Sequence, residues 1–218
     1  MSLHFAREVD RLRRLLLLLC ETVEDNLQKS VQSAMNQDQA LAMRVIEKDR
    51  SIDDLEVDVE EECLKILALH QPVANDLRFI VSALKINNDL ERIGDLAVNI
   101  AERAIFLSSL SLPETPYDFP DMAAKAQAMV RNSLDALLRQ DVDLAKSVRE
   151  ADDEVDEINR AMYEQIKASI RKEPERVDAL IHLLSISRHL ERVADHATNI
   201  AEDVIYMIKG KIVRHHAR

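Results

Sequence analysis

Four pairs of acidic residues stand four positions apart in this chain: Asp49/Asp53, Glu91/Asp95, Asp152/Asp156 and Glu191/Asp195. On a helix, residues i and i+4 share a face, about 6 Å apart, and like charges there repel unless solvent or a cation screens them. Their distances from the turns are matched. Asp53 and Glu91 are each 19 residues from Pro72, while Asp156 and Glu191 are 18 and 17 residues from Pro174. In an antiparallel hairpin, equal distance from the turn means equal height, so each couple of pairs lies level on neighbouring helices. Helical-wheel angles leave two arrangements open, with both pairs turned into one groove or both turned out to solvent. In the first, each half of the chain holds four carboxylates in one place, a donor set suited to hard cations such as Mg, Mn, Ca or iron. In the second, they form a solvated acidic face. No Glu-x-x-His of the di-iron bundles and no HExxH of the zinc hydrolases occurs.

Other chemistry-bearing residues are fewer. His182, His189 and His196 recur every seven residues and form one stripe, some 120° from the Glu191/Asp195 face on a wheel of about 100° per residue. A surface or interhelical polar stripe is the expected reading, with His196 able to serve as a secondary ligand. Cys20 and Cys63 are isolated and read as buried thiols. His215 and His216 with Lys209, Lys211, Arg214 and Arg218 make a basic tail.

The elements that position these residues are long helices. Only two glycines and five prolines punctuate 218 residues. The pattern predicts helices over about Phe5–Met35, Gln39–His70 and Val73–Leu110. A proline-rich linker, 111–120, follows, and then helices over about Asp121–Arg139, Asp143–Lys172 and Pro174–Lys209, with Gly210 at a C-cap. Asp38 offers an N-cap for the second helix, and Gln71-Pro72 ends it. Apolar stripes at helical spacing, such as Leu90, Ile93, Ala97, Ile100 and Ala101, mark the core faces.

The second half copies the first. At an offset of 103, Gln37, Asp38, Leu41, Asp49 and Asp53 match Gln140, Asp141, Leu144, Asp152 and Asp156. At an offset of 100, Leu90, Glu91, Arg92, Asp95, Asn99 and Glu102 match Leu190, Glu191, Arg192, Asp195, Asn199 and Glu202. A period this long is a duplicated domain rather than a solenoid repeat. The expected fold is all-α, a six-helix bundle of two tandem three-helix repeats at 1–110 and 121–218.

Composition excludes several classes. A net charge of -11 and 3% aromatic residues with no Trp disfavour nucleic acid as a partner. Leu15–Leu19 is too short for a secretory core before Glu21 and Glu24, and no run reaches the roughly 20 apolar residues of a span. A cytoplasmic protein is expected. No nucleophile–base pair, glycine-rich phosphate loop or cofactor motif is present, so a binding protein is expected rather than an enzyme.

The stretches QPVANDLRFIVSALKINNDLERIGDLAVNIAE (71–102) and HLERVADHATNIAEDVIYMIKGK (189–211) resemble the PhoU family of phosphate-uptake regulators. That family's E/D-x-x-x-D motif falls on Glu91/Asp95 and Glu191/Asp195, and the tandem layout resembles it over almost the whole chain. The resemblance implies a dimeric bundle with multinuclear metal clusters (iron, zinc, magnesium or manganese) on the acid motifs Asp49, Asp53, Glu91, Asp95, Asp152, Asp156, Glu191 and Asp195. It implies two partners, the ATPase subunit of the phosphate ABC transporter and a sensor histidine kinase, with negative control of the phosphate-starvation response. Attachment to the inner membrane would be peripheral, through those partners. A metalloenzyme, oxidase or phosphatase, and a metal-free structural adaptor are the alternatives. The chain departs from the family pattern at Leu96, at Ala194 and in the KEPERVDAL turn, so the second cluster is expected to differ from the first.

Overall fold

The computed structural model describes residues 3–110 and 119–213. Six α-helices form: α1 (Leu3–Asn36), α2 (Gln39–His70), α3 (Ala74–Ser108), α4 (Phe119–Arg139), α5 (Val142–Lys172) and α6 (Val177–Lys209). No strand occurs among the described residues. Residues 111–118 of the expected linker lie outside the described residues, and its last two, Phe119 and Pro120, already belong to α4. The basic tail from Arg214 onward also lies outside them.

The duplicated turns fold alike because their residues are alike. Gln37 and Gln140 take left-handed φ values of 54° and 53°. Asp38 and Asp141 then cap the next helices, accepting from the backbone N–H of Leu41 at 2.9 Å and of Leu144 at 3.0 Å. Each cap satisfies an N–H that the helix itself cannot. The second turn of each repeat differs. Gln71 closes α2 in the left-handed region, whereas Pro174–Arg176 inserts a 3₁₀ turn before α6.

Within each repeat successive helices run antiparallel, and α3 and α6 join the repeats along their length. They too run antiparallel, with Lys85 opposite Asp203, Asp89 opposite His196, and Phe106 opposite His182. Their facing stripes, Ile86, Leu90, Ile93, Ala97 and Ile100 against Ile186, Leu190, Val193, Ala197 and Ile200, are fully buried. Burying such residues contributes roughly 1.5–3 kcal/mol each before entropy is set against it. α2 and α5 lie on the outside, each against its own repeat. Leu16 and Leu19, from the run that mimics a signal sequence, are core residues of α1. Cys20 and Cys63 are free and buried, and burial pushes both thiols up to about 12.

Candidate functional site: two acidic seams

Each acid pair stands on one helix of a hairpin, and the hairpin brings two pairs level. On the α2/α3 seam, Asp49 is raised to about 6 by burial, then by the charges of Asp53 and Asp95. Asp95 belongs to the opposite helix, so its charge reaches Asp49 across the seam. Glu91 is also raised, first by burial and then by Asp95, with Glu56 and Asp53 of α2 adding to it. On the α5/α6 seam, Asp152 is raised to about 6 by burial and then by Asp195 and Asp156, while the Thr198 hydroxyl pulls the other way. Glu191 is raised by burial, Asp195, Asp156 and Asp152. Asp49, Glu91, Asp152 and Glu191 thus each feel charge from the opposite helix, while Asp53 and Asp195 are exposed.

The seams are not identical. Arg92 partly neutralises the first, with Nη1 3.2 Å from Asp95 Oδ2 and Nε 3.4 Å from Glu91 Oε2. Glu56 adds a fifth carboxylate there, which the spacing argument missed because it breaks the four-residue rhythm. Its Oε1 accepts a 2.9 Å hydrogen bond from Asn87 Nδ2, which also reaches the Glu56 carbonyl at 3.0 Å. In the second repeat Asn159 stands where Glu56 does, and it accepts from Ser187, the counterpart of Asn87. Only the identity of the duplicated positions could have signalled this substitution.

Gly94 sets how closely the first seam closes. A Cβ there would meet Ile52 Cγ2 at 3.2 Å and Asp49 Oδ1 at 3.7 Å. The glycine thus lets the α3 backbone pass beside an α2 carboxylate.

The donor set is all oxygen and partly buried, and burial, then neighbouring charge, raises Asp49, Glu91, Asp152 and Glu191 above their ordinary values. These properties fit a hard cation. Among the described residues, no three His, Cys, Asp or Glu side chains gather as a ready-made metal site. Holding an ion would therefore draw the splayed carboxylates inward across the seam.

The histidine stripe faces α3, not the acids. His182 stacks on Phe106 with ring centroids 3.9 Å apart, and His196 Nδ1 lies 2.8 Å from Asp89 Oδ1. Asn199 Nδ2 donates to the same oxygen at 3.2 Å. Asp89, His196 and Asn199, with Lys85, Asn88, Arg192 and Asp195, line an open cleft of about 920 Å³ between α3 and α6.

Two tandem three-helix units, each with an acidic seam between its second and third helices, define a duplicated all-α bundle. Residues 16–104 and 119–204 both match the family model of the PhoU domain. The chain is 38% identical over 217 residues to the phosphate-specific transport system accessory protein PhoU homolog of Pseudomonas aeruginosa, covering 98% of this chain and 89% of that protein. It is 35% identical to the PhoU homolog 1 of Thermotoga maritima, covering 99% and 93%. The crystal structure of PhoU from Pseudomonas aeruginosa superposes with a TM-score of 0.93 at 37% identity, covering 95% of this chain and 100% of that one. The phosphate transport system regulatory protein PhoU from Streptococcus pneumoniae gives 0.87 at 29% identity, covering 96% and 99%. The chain belongs to the PhoU family.

Proposed function

We propose that this chain is an accessory regulator of phosphate transport that binds metal ions on its two acidic seams. The observation that carries this reading is the doubled seam itself. Both copies of the family's acid motif are retained, and each faces a second acid pair across a helix–helix groove. The names of its full-length relatives supply the process, phosphate transport and its regulation.

In this reading the protein docks on the ATPase subunit of a phosphate ABC transporter and on a sensor histidine kinase. It restrains the starvation response when phosphate is plentiful. It acts as a homodimer in the cytoplasm and meets the inner membrane through its partners; no helix among the described residues is long and apolar enough to cross a membrane. Asp49, Asp53, Glu91 and Asp95 hold one cation or cluster, and Asp152, Asp156, Glu191 and Asp195 the other. A bound cation neutralises the carboxylates and clamps two helices of a repeat together. The protein binds and couples rather than catalyses.

The test is genetic and biochemical. A strain lacking this chain should express its phosphate-starvation genes in phosphate-rich medium, and the wild-type gene should restore repression. Purified chain should co-purify with the transporter ATPase, less strongly as salt rises, because exposed charges act through screened attraction. Normal repression in the deletion strain would refute the regulatory reading.

A further inference from the structure

The duplication is unequal at its first helix. α1 has 34 residues and α4 has 21. At the offset of 103, Phe119 at the start of α4 matches Leu16, so the first turns of α1 have no counterpart in α4. With the end of α4, the start of α3 and the end of α6, α1 walls two hollows of about 190 and 220 Å³. Arg13, Phe79, Gln140 and Met207 line both, so the two adjoin as one trough with Arg13 at its waist. Through the duplication Pro116 stands for Arg13 and Ala179 for Phe79. The cation and the ring beside it are therefore particular to this end and are not demanded by the repeated bundle.

The two hollows differ in chemistry. Leu16, Cys20, Leu137 and Met207, each 9% exposed or less, make the floor of the smaller one. Leu138, half-exposed, stands at its rim. Arg13 is the only charged residue lining it, in a chain whose net charge is -11. The larger hollow holds Asp76 as well as Arg13. The Arg13 guanidinium lies over the Phe79 ring, 5.2 Å from its centroid, which holds it beside the trough. Among the described residues the one carboxylate paired with it is Asp10, at 4.0 Å, and both side chains are more than half exposed. So long and exposed a pair contributes little, and the guanidinium stays open to a better acceptor.

We infer that this trough binds a small amphipathic anion, a carboxylate whose apolar tail fills the smaller hollow and whose head meets Arg13. The size of the hollow sets the tail. An apolar cavity of about 150 Å³ takes up a benzene ring, so one of about 190 Å³ holds a ring or a short alkyl chain. The single positive charge sets the head, because the forked guanidinium matches a carboxylate with two parallel donors. Asp76 sets the direction. A head placed in the larger hollow would meet its like charge, so the head stops at Arg13 and the tail runs toward Cys20 and Leu137. None of the lining residues belongs to the acid pairs, so binding does not depend on metal at the seams.

The test is calorimetric titration of the full-length protein with octanoate and, separately, with octanol, its uncharged counterpart. A chelator is present throughout, so that metal on the acidic seams plays no part. Octanoate should saturate one site per chain, and octanol should bind at least about tenfold more weakly, the loss of one charge-assisted contact. Arg13→Gln should weaken octanoate by about the same factor and leave octanol unchanged, a split that misfolding would not produce. Leu138→Trp fills the hollow from its rim and should weaken both ligands. Arg14→Gln removes the neighbouring exposed arginine, which does not line the trough, and should change neither. Failure of octanoate to bind wild type, equal affinity for octanoate and octanol, equal losses in Arg13→Gln and Arg14→Gln, or undiminished binding by Leu138→Trp would each overturn the site.

Discussion

A Cβ built on Gly94 would stand 3.2 Å from Ile52 Cγ2, and the second repeat resolves the same contact by moving one carbon across the seam. There the glycine is Ala194 and the isoleucine is Val155. Ala in place of Gly gains roughly 1 kcal/mol of helix propensity, whereas overpacking a tight core costs about 1–3 kcal/mol. Gly94→Ala alone should therefore be neutral to destabilising. Gly94→Ala with Ile52→Val should be more stable than the single variant, with a coupling of about 1 kcal/mol in a double-mutant cycle. Urea unfolding of the four proteins measures it, and strict additivity would show that the contact is relaxed elsewhere.

Asn87 should matter more than its counterpart. Its amide is 1% exposed and bridges the side chain and the carbonyl of Glu56, one helix away. Asn87→Ala leaves that carboxylate without its donor and should cost about 1–3 kcal/mol. Ser187→Ala breaks a neutral hydrogen bond to Asn159 and should cost nearer 1 kcal/mol. Chemical denaturation of the two variants ranks them; the reverse order would mean that the first seam does not depend on this bridge.

Without metal, acid should stabilise the seams. Asp49 and Asp152 are raised in the folded protein to about 6 from an ordinary value of 3.8. The native state thus binds more protons than the unfolded chain between those values, and stability falls as pH rises through that window. In a chelator, Asp49→Asn/Asp152→Asn should be more stable than wild type at pH 7 by at least about 1 kcal/mol, after allowance for solvent screening. The advantage should vanish near pH 4. Thermal midpoints of both proteins across that range check this, and a constant difference would contradict the origin assigned to the shift.

Lys85 should hold the repeats together. Its partner Asp203 has a side chain only 2% exposed, so Lys85→Met leaves a buried carboxylate short of its counter-charge. The expected loss is about 2–4 kcal/mol, at the lower part of the range for broken buried pairs because Lys85 is itself half-exposed. A loss below about 0.5 kcal/mol, the scale of a surface pair, would show that Asp203 is satisfied by its other contacts.

Much of this fold was legible because local signals agreed with the global one. The Gln-Asp turns at 37–38 and 140–141 and the placement of Pro72 marked the helices to within a residue or two. The matched heights of the acids followed from hairpin arithmetic. Which helix each pair adjoins did not, because a wheel angle gives the side of a stripe and not the helix it will face. The pairing of α3 with α6 was hidden for the same reason: apolar stripes say that a helix is buried, not against what. Glu56 and Thr198 escaped notice because they join the seams only through the fold.

In the proposed function both acidic seams hold cations. Elemental analysis of protein purified without chelators tests it most directly, with wild type beside the Asp95→Asn/Asp195→Asn variant. Wild type should carry iron, manganese, magnesium or zinc at one ion or more per seam. The variant should be severely depleted, and the thermal midpoint should rise on adding metal only where the carboxylates are intact. Metal-free wild-type protein whose midpoint is unmoved by added metal, or equal metal content in the two proteins, would contradict it.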